Sequence, residues 1–99
     1  MKVRILNCPD KDFKPFVERA VEFYAQNLIH SKRIRDNIHL TIKFNSKITV
    51  WAFASIEEYN ASKKAREFLI EIHPWIGAGS ILETLAHEMV HIKQFAHGE

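Results

Sequence analysis

Ser80-Ile81-Leu82-Glu83-Thr84-Leu85-Ala86-His87-Glu88-Met89-Val90-His91-Ile92-Lys93-Gln94-Phe95 is the stretch on which the reading of this chain turns. Its apolar residues Leu82, Leu85, Met89 and Ile92, with Ala96 just beyond, return at steps of three and four, the period of one helical face against a core. Ser80 followed three positions later by Glu83 is the capping-box pairing, in which each side chain satisfies an orphan backbone donor. It predicts a helix that begins at Ser80. With Leu82 set at 0°, the other apolar positions cluster between about 280° and 340°, while His87 and His91 fall at about 140° and 180°. The two imidazoles are therefore expected opposite the core face.

His87-Glu88-Met89-Val90-His91 is the H-E-x-x-H pattern. Two histidines four apart on a helix differ by about 40° of rotation and one turn of rise, so both rings can meet one ion. Glu88 projects from the adjoining flank, where it can take a proton from a metal-activated water. His87 and His91 are thus the expected zinc ligands and Glu88 the expected catalytic base, the chemistry of a zinc-dependent peptidase. Two competing readings are a pair of solvated histidines on an ordinary amphipathic helix and a zinc-binding module that acts by protein binding without turnover.

Catalytic zinc usually takes three protein ligands and keeps one position open. His97 stands at the spacing of the longer motif H-E-x-x-H-x-x-G-x-x-H, but Gln94 replaces its glycine. Glycine turns the chain there without steric cost, whereas glutamine prolongs the helix. A helix continuing through Ala96 carries His97 about 9 Å along the axis from His91 and about 120° round it, out of reach of the ion. The third ligand stays open, with His97 the candidate weighed from the motif.

Upstream of the motif, Arg66 to Ile72 alternates Phe68, Ile70 and Ile72 with Glu67, Leu69 and Glu71, a strand with one buried face. The loop His73 to Gly79 follows, with one proline and two glycines. Further back, Ile38, Leu40, Ile42 and Phe44 alternate in the same way. Asn45-Ser46 reads as a hairpin turn into a strand over Lys47 to Ala54, and Ser55 to Lys64 reads mostly as loop. Val3 to Asn7 is a first strand. Asp10 or Asp12 is a candidate cap for a helix from Phe13 to Leu28, whose core face is Phe16, Val17, Ala20, Val21, Tyr24 and Leu28, with Pro15 in its first turn. Ser31 to Asn37 is a polar connection. The expectation is an α+β domain, β-α-β-β-β-α, with a small, mostly antiparallel sheet of about four strands and two helices on one face. Trp51, Phe53 and Trp75 are assigned to its core.

Ninety-nine residues make one domain, spanning 1–99. A single cysteine, Cys8, excludes an intrachain disulfide and a cysteine-built zinc site, and it fits a reducing compartment. There is no signal-like or membrane-spanning apolar run, so a cytoplasmic protein is expected. The net charge of +2 does not argue for nucleic acid, and the basic clusters Lys32, Arg33, Arg35 and Lys63, Lys64, Arg66 lack interleaved aromatics. His30, His39 and His73 read as surface or loop residues. The expected partner is a peptide or protein substrate.

Arg66 to Ile72, followed after a loop by Leu82 to Phe95, resembles the small H-E-x-x-H metallopeptidases of tailed bacteriophages, the minimal gluzincins of archaea and, more loosely, the SprT-like peptidases. The resemblance covers about the last third of the chain. It implies a zincin-like fold, a zinc cofactor, a host-cytoplasmic setting for a phage protein, and an edge strand that pairs with extended substrate, for which Arg66 to Ile72 is the candidate. Gluzincin membership would also imply a third ligand, a glutamate on a helix after the motif. The chain ends at Glu99, eight residues after His91, so the expectation is either a shortened form, with that glutamate beyond residue 99, or a third ligand from elsewhere.

Overall fold

The computed structural model describes residues 1–49, 51–59 and 65–97. The elements run β1 (Lys2–Leu6), α1 (Lys14–Leu28), α2 (Lys32–Asp36), β2 (His39–Phe44), β3 (Ala52–Tyr59), β4 (Ala65–Ile72), a 3-10 turn (Pro74–Ile76) and α3 (Ala78–Ala96). The expected order of strands and long helices is present. The polar connection gains a short helix, α2, where the Ser31 hydroxyl accepts from the Ile34 amide at 3.3 Å.

The strand pairing overturns the mostly antiparallel sheet. The order across the sheet is β1-β2-β4-β3, with β1, β2 and β4 parallel and only β3 running antiparallel, against β4. The reason lies in the connections. A helix between β1 and β2 is the crossover that parallel neighbours require. After β2 the chain does not turn back in a two-residue hairpin. The Asn45 side chain accepts from the Lys47 amide at 2.9 Å, and its own backbone amide donates to Ile72 of β4 at 2.9 Å. The connection runs on as far as Trp51, β3 forms one place further out, and β4 returns into the gap beside β2.

Two further expectations change with this topology. Ser55 to Tyr59, read as loop, belongs to β3, while residues 60–64 lie outside the described residues, as do Val50 and the basic pair Lys63 and Lys64. Arg66 to Ile72 is an interior strand with both edges paired, so it is not the edge that meets a substrate. The edge on that side of the sheet is β3.

Strict alternation gives the sheet one apolar face. Register aligns Leu40 with Phe68, Ile42 with Ile70 and Phe44 with Ile72, and all six are buried. Val17, Val21 and Ala25 of α1 and Ile81, Leu85, Met89, Ile92 and Ala96 of α3 close over that face. At about 25 cal/mol per Å² of apolar surface removed from water, this single core is the main source of stability. The other face carries Lys2, Arg4, His39, Thr41, Lys43, Glu67 and Glu71 along β1, β2 and β4, and none of them is buried. Phe16 is 58% exposed rather than part of the core face of α1, and Asp10 shapes the turn before α1 by accepting from the Asp12 amide instead of capping the helix. Trp51 and Trp75 are 66% and 78% exposed, which removes them from the core. The Phe53 side chain lies outside the described residues. Among the described residues no helix is long and apolar enough to cross a membrane.

Candidate metal centre

α3 starts earlier than the capping box implies. Its N-cap is Gly77, at φ +87° and ψ 152°, a conformation essentially confined to glycine, and Ile81 donates to the Gly77 carbonyl at 2.9 Å. Ser80 is already inside the helix, and no side chain caps the N-terminus. The helix is tied to its surroundings near both ends. The Tyr24 hydroxyl of α1 donates to the Leu82 carbonyl at 3.3 Å, and Arg66 of β4 donates to the Ala96 carbonyl at 3.0 Å.

On this fixed helix, His87 is exposed, His91 half-buried and Glu88 only 6% exposed. One ligand atom from each of the three lies within 4.8 Å of those of the others. The two imidazoles meet edge to face, with centroids 5.1 Å apart and planes at 86°. His91 is braced on two sides: its Nδ1 lies 3.3 Å from the Gln94 side-chain oxygen, and Phe95 stacks on its ring at 6.4 Å. Phe95 in turn stacks on the buried Phe68 at 6.3 Å, which links the ring of His91 to the core.

Glu88 sits at about 240° on the wheel, at the margin of the core stripe, and this explains its burial. Together with Trp51, Ala52, Glu83, Thr84 and His87 it lines a groove of about 380 Å³. Among the described residues no side chain hydrogen-bonds its carboxylate, yet no fully buried side-chain polar atom is left unpaired. Its oxygens therefore open onto the groove. A carboxylate with an apolar flank and one wet face is well placed to meet a polar group held in that groove. The Trp51 wall is anchored from behind, since its carbonyl accepts from the His73 amide at 2.8 Å.

His87 and His91 fit as two of the three protein ligands that a catalytic zinc usually takes, and Glu88 is the one further donor grouped with them among the described residues. Imidazole nitrogen and carboxylate oxygen are the ordinary ligands of zinc besides thiolate, and bonds of about 2.0–2.2 Å place neighbouring donors roughly 3.3 Å apart, within reach of side-chain rotation from the observed spacing. His97 is not in the group. α3 continues unbroken through Gln94 to Ala96, and His97 is its exposed C-cap, with its amide on the Lys93 carbonyl at 3.0 Å. His73 caps the 3-10 turn by accepting from the Trp75 amide at 3.2 Å, and His30 and His39 are exposed and far from α3 in sequence. Gln94, Glu83, Thr84 and Trp51 were not singled out at the site from sequence. The first three were legible in principle as helix neighbours of the histidines at three- and four-residue steps. Trp51 comes from another element, and local spacing carries no sign of it.

Comparison with protein-family models, with curated proteins and with solved structures yielded no match for this chain.

Proposed function

We propose that this chain is a zinc-dependent metallopeptidase of the H-E-x-x-H class that acts on a peptide or protein substrate. The observation that supports this most is the gathering of His87, Glu88 and His91 within 4.8 Å, with His87 and Glu88 on the wall of a groove that Ala52 of the edge strand β3 also lines. His87 and His91 would hold the ion. Bound zinc supplies Lewis-acid polarisation of the scissile carbonyl and of water. Glu88 takes the proton of the attacking water and returns it to the leaving amine, and its apolar flank keeps the carboxylate aimed into the groove. The outer edge of β3 offers backbone groups to an extended segment of substrate, and Trp51, beside it, offers an apolar surface to a substrate side chain. The setting proposed is the cytoplasm, in agreement with a single unpaired cysteine, and for a phage-encoded protein the host cytoplasm.

A second reading, a zinc-holding module that binds protein without hydrolysis, draws on the same geometry, because a carboxylate so near both imidazoles can itself be a ligand. Glu88→Gln separates the two. On the peptidase reading the variant keeps about one zinc per chain and loses cleavage of an unstructured protein such as casein by at least a hundredfold. Retained cleavage overturns the mechanism. Zinc binding with no cleavage by the unmodified protein leaves the module.

A further inference from the structure

We infer that Gln94 is a positioning residue that sets the proton of the His91 imidazole on Nδ1 and so leaves Nε2 as the nitrogen that accepts a metal. The inference rests on reading His91 as a ligand, but its central claim concerns the metal-free protein. The Gln94 side-chain oxygen faces Nδ1 of His91 at 3.3 Å, long for such a bond. An amide oxygen only accepts, so this contact is a hydrogen bond only when Nδ1 carries the proton. The opposite tautomer would put the proton on Nε2, where the lone pair for the ion has to be, and with the amide oxygen facing Nδ1 as it does it would set two lone pairs against each other unless the amide turned its NH2 inward.

Position makes the contact possible. Gln94 is three residues after His91 on a continuous helix, so the two side chains share a face. Phe95 stacks on the same ring with planes 27° apart, limiting its rotation while Gln94 selects its tautomer. The glutamine that removes the turn towards His97 thus serves the site in another way. An acceptor on the distal ring nitrogen also strengthens a histidine as a ligand, and loss of such a partner typically weakens metal binding about 10–100-fold.

The test begins with metal-free, 15N-histidine-labelled protein in mildly alkaline buffer, observed by long-range proton–nitrogen correlation. His91 is expected as the Nδ1–H tautomer. In Gln94→Leu, which is isosteric in its first carbons and leaves the core untouched, the Nε2–H form becomes dominant and zinc affinity falls about tenfold or more. In Gln94→Glu, whose carboxylate also accepts, Nδ1–H is kept and affinity is restored. An Nε2–H His91 in the unmodified protein, or a tautomer indifferent to Gln94→Leu, overturns the inference. If the unmodified protein binds no zinc, the peptidase reading fails while the tautomer still decides the role of Gln94.

Discussion

His91 and Phe95 lie one helical turn apart with their rings stacked at 6.4 Å, and Phe95 also stacks on Phe68 of β4 at 6.3 Å. The proposed ligand His91 is thereby linked to the hydrophobic core through a single intervening ring. Phe95→Ala should then damage both. Phe95 is only partly buried, so the loss of stability is expected at about 2 kcal/mol, below the 3–5 typical of a fully buried phenylalanine. Zinc affinity should fall in the folded variant as well. Urea unfolding followed by zinc titration measures the two separately.

Zinc that binds the native site stabilises the fold by mass action. At a free concentration one hundred times the dissociation constant the gain is about 2.7 kcal/mol, which in a domain of this size raises the melting temperature by about 10–20 °C. A chelator should reverse the rise, and His87→Ala should abolish it. His87 is exposed, so the variant without zinc should melt close to the unmodified metal-free protein. Calorimetry with and without zinc reads all three.

The two tryptophans make a matched pair. Both are largely exposed, but only Trp51 lines the groove beside Glu88. Trp51→Ala is expected to lower kcat/KM on a peptide about tenfold, mainly through KM, with stability changed by less than about 0.5 kcal/mol. Trp75→Ala should leave kcat/KM unchanged. Steady-state kinetics on the two variants decides whether Trp51 meets the substrate.

Gly77 and Gly79 predict opposite signs. A β-carbon at either position meets nothing within 4 Å, so sterics between residues do not enter. Gly77 sits at φ +87°, where alanine is strained by about 1–3 kcal/mol, and Gly77→Ala should lose that much. Gly79 lies within α3, and Gly79→Ala should gain about 0.5–1 kcal/mol from helix propensity. Chemical denaturation of each variant gives the comparison.

The elements that were legible in the sequence are those defined by local period. The alternation in Ile38 to Phe44 and Arg66 to Ile72, and the three-four spacing after Ser80, each reflect a face whose burial the structure bears out in β2, β4 and α3. Strand order was not legible, because the choice between a hairpin at Asn45-Ser46 and insertion of β4 depends on contacts between residues more than twenty positions apart. The helix start was misplaced because glycine at Gly77 turns the chain by backbone freedom alone, and this outcompetes the Ser80–Glu83 cap. At the site, H-E-x-x-H is a one-turn pattern, so the convergence of His87, Glu88 and His91 could be read from spacing. The burial of Glu88 could not, since a residue at the margin of a helical stripe is covered or open according to where β3 lies.

A sheet clothed by helices on one side only has a practical use. Lys2, on the bare face and paired across to His39, belongs to the edge strand β1, at the opposite end of the sheet from β3, whose Ala52 lines the groove. A tether placed there, to a resin, a sensor chip or a fluorophore, would leave the groove facing the bulk, so that on the peptidase proposal immobilised and free protein should digest alike.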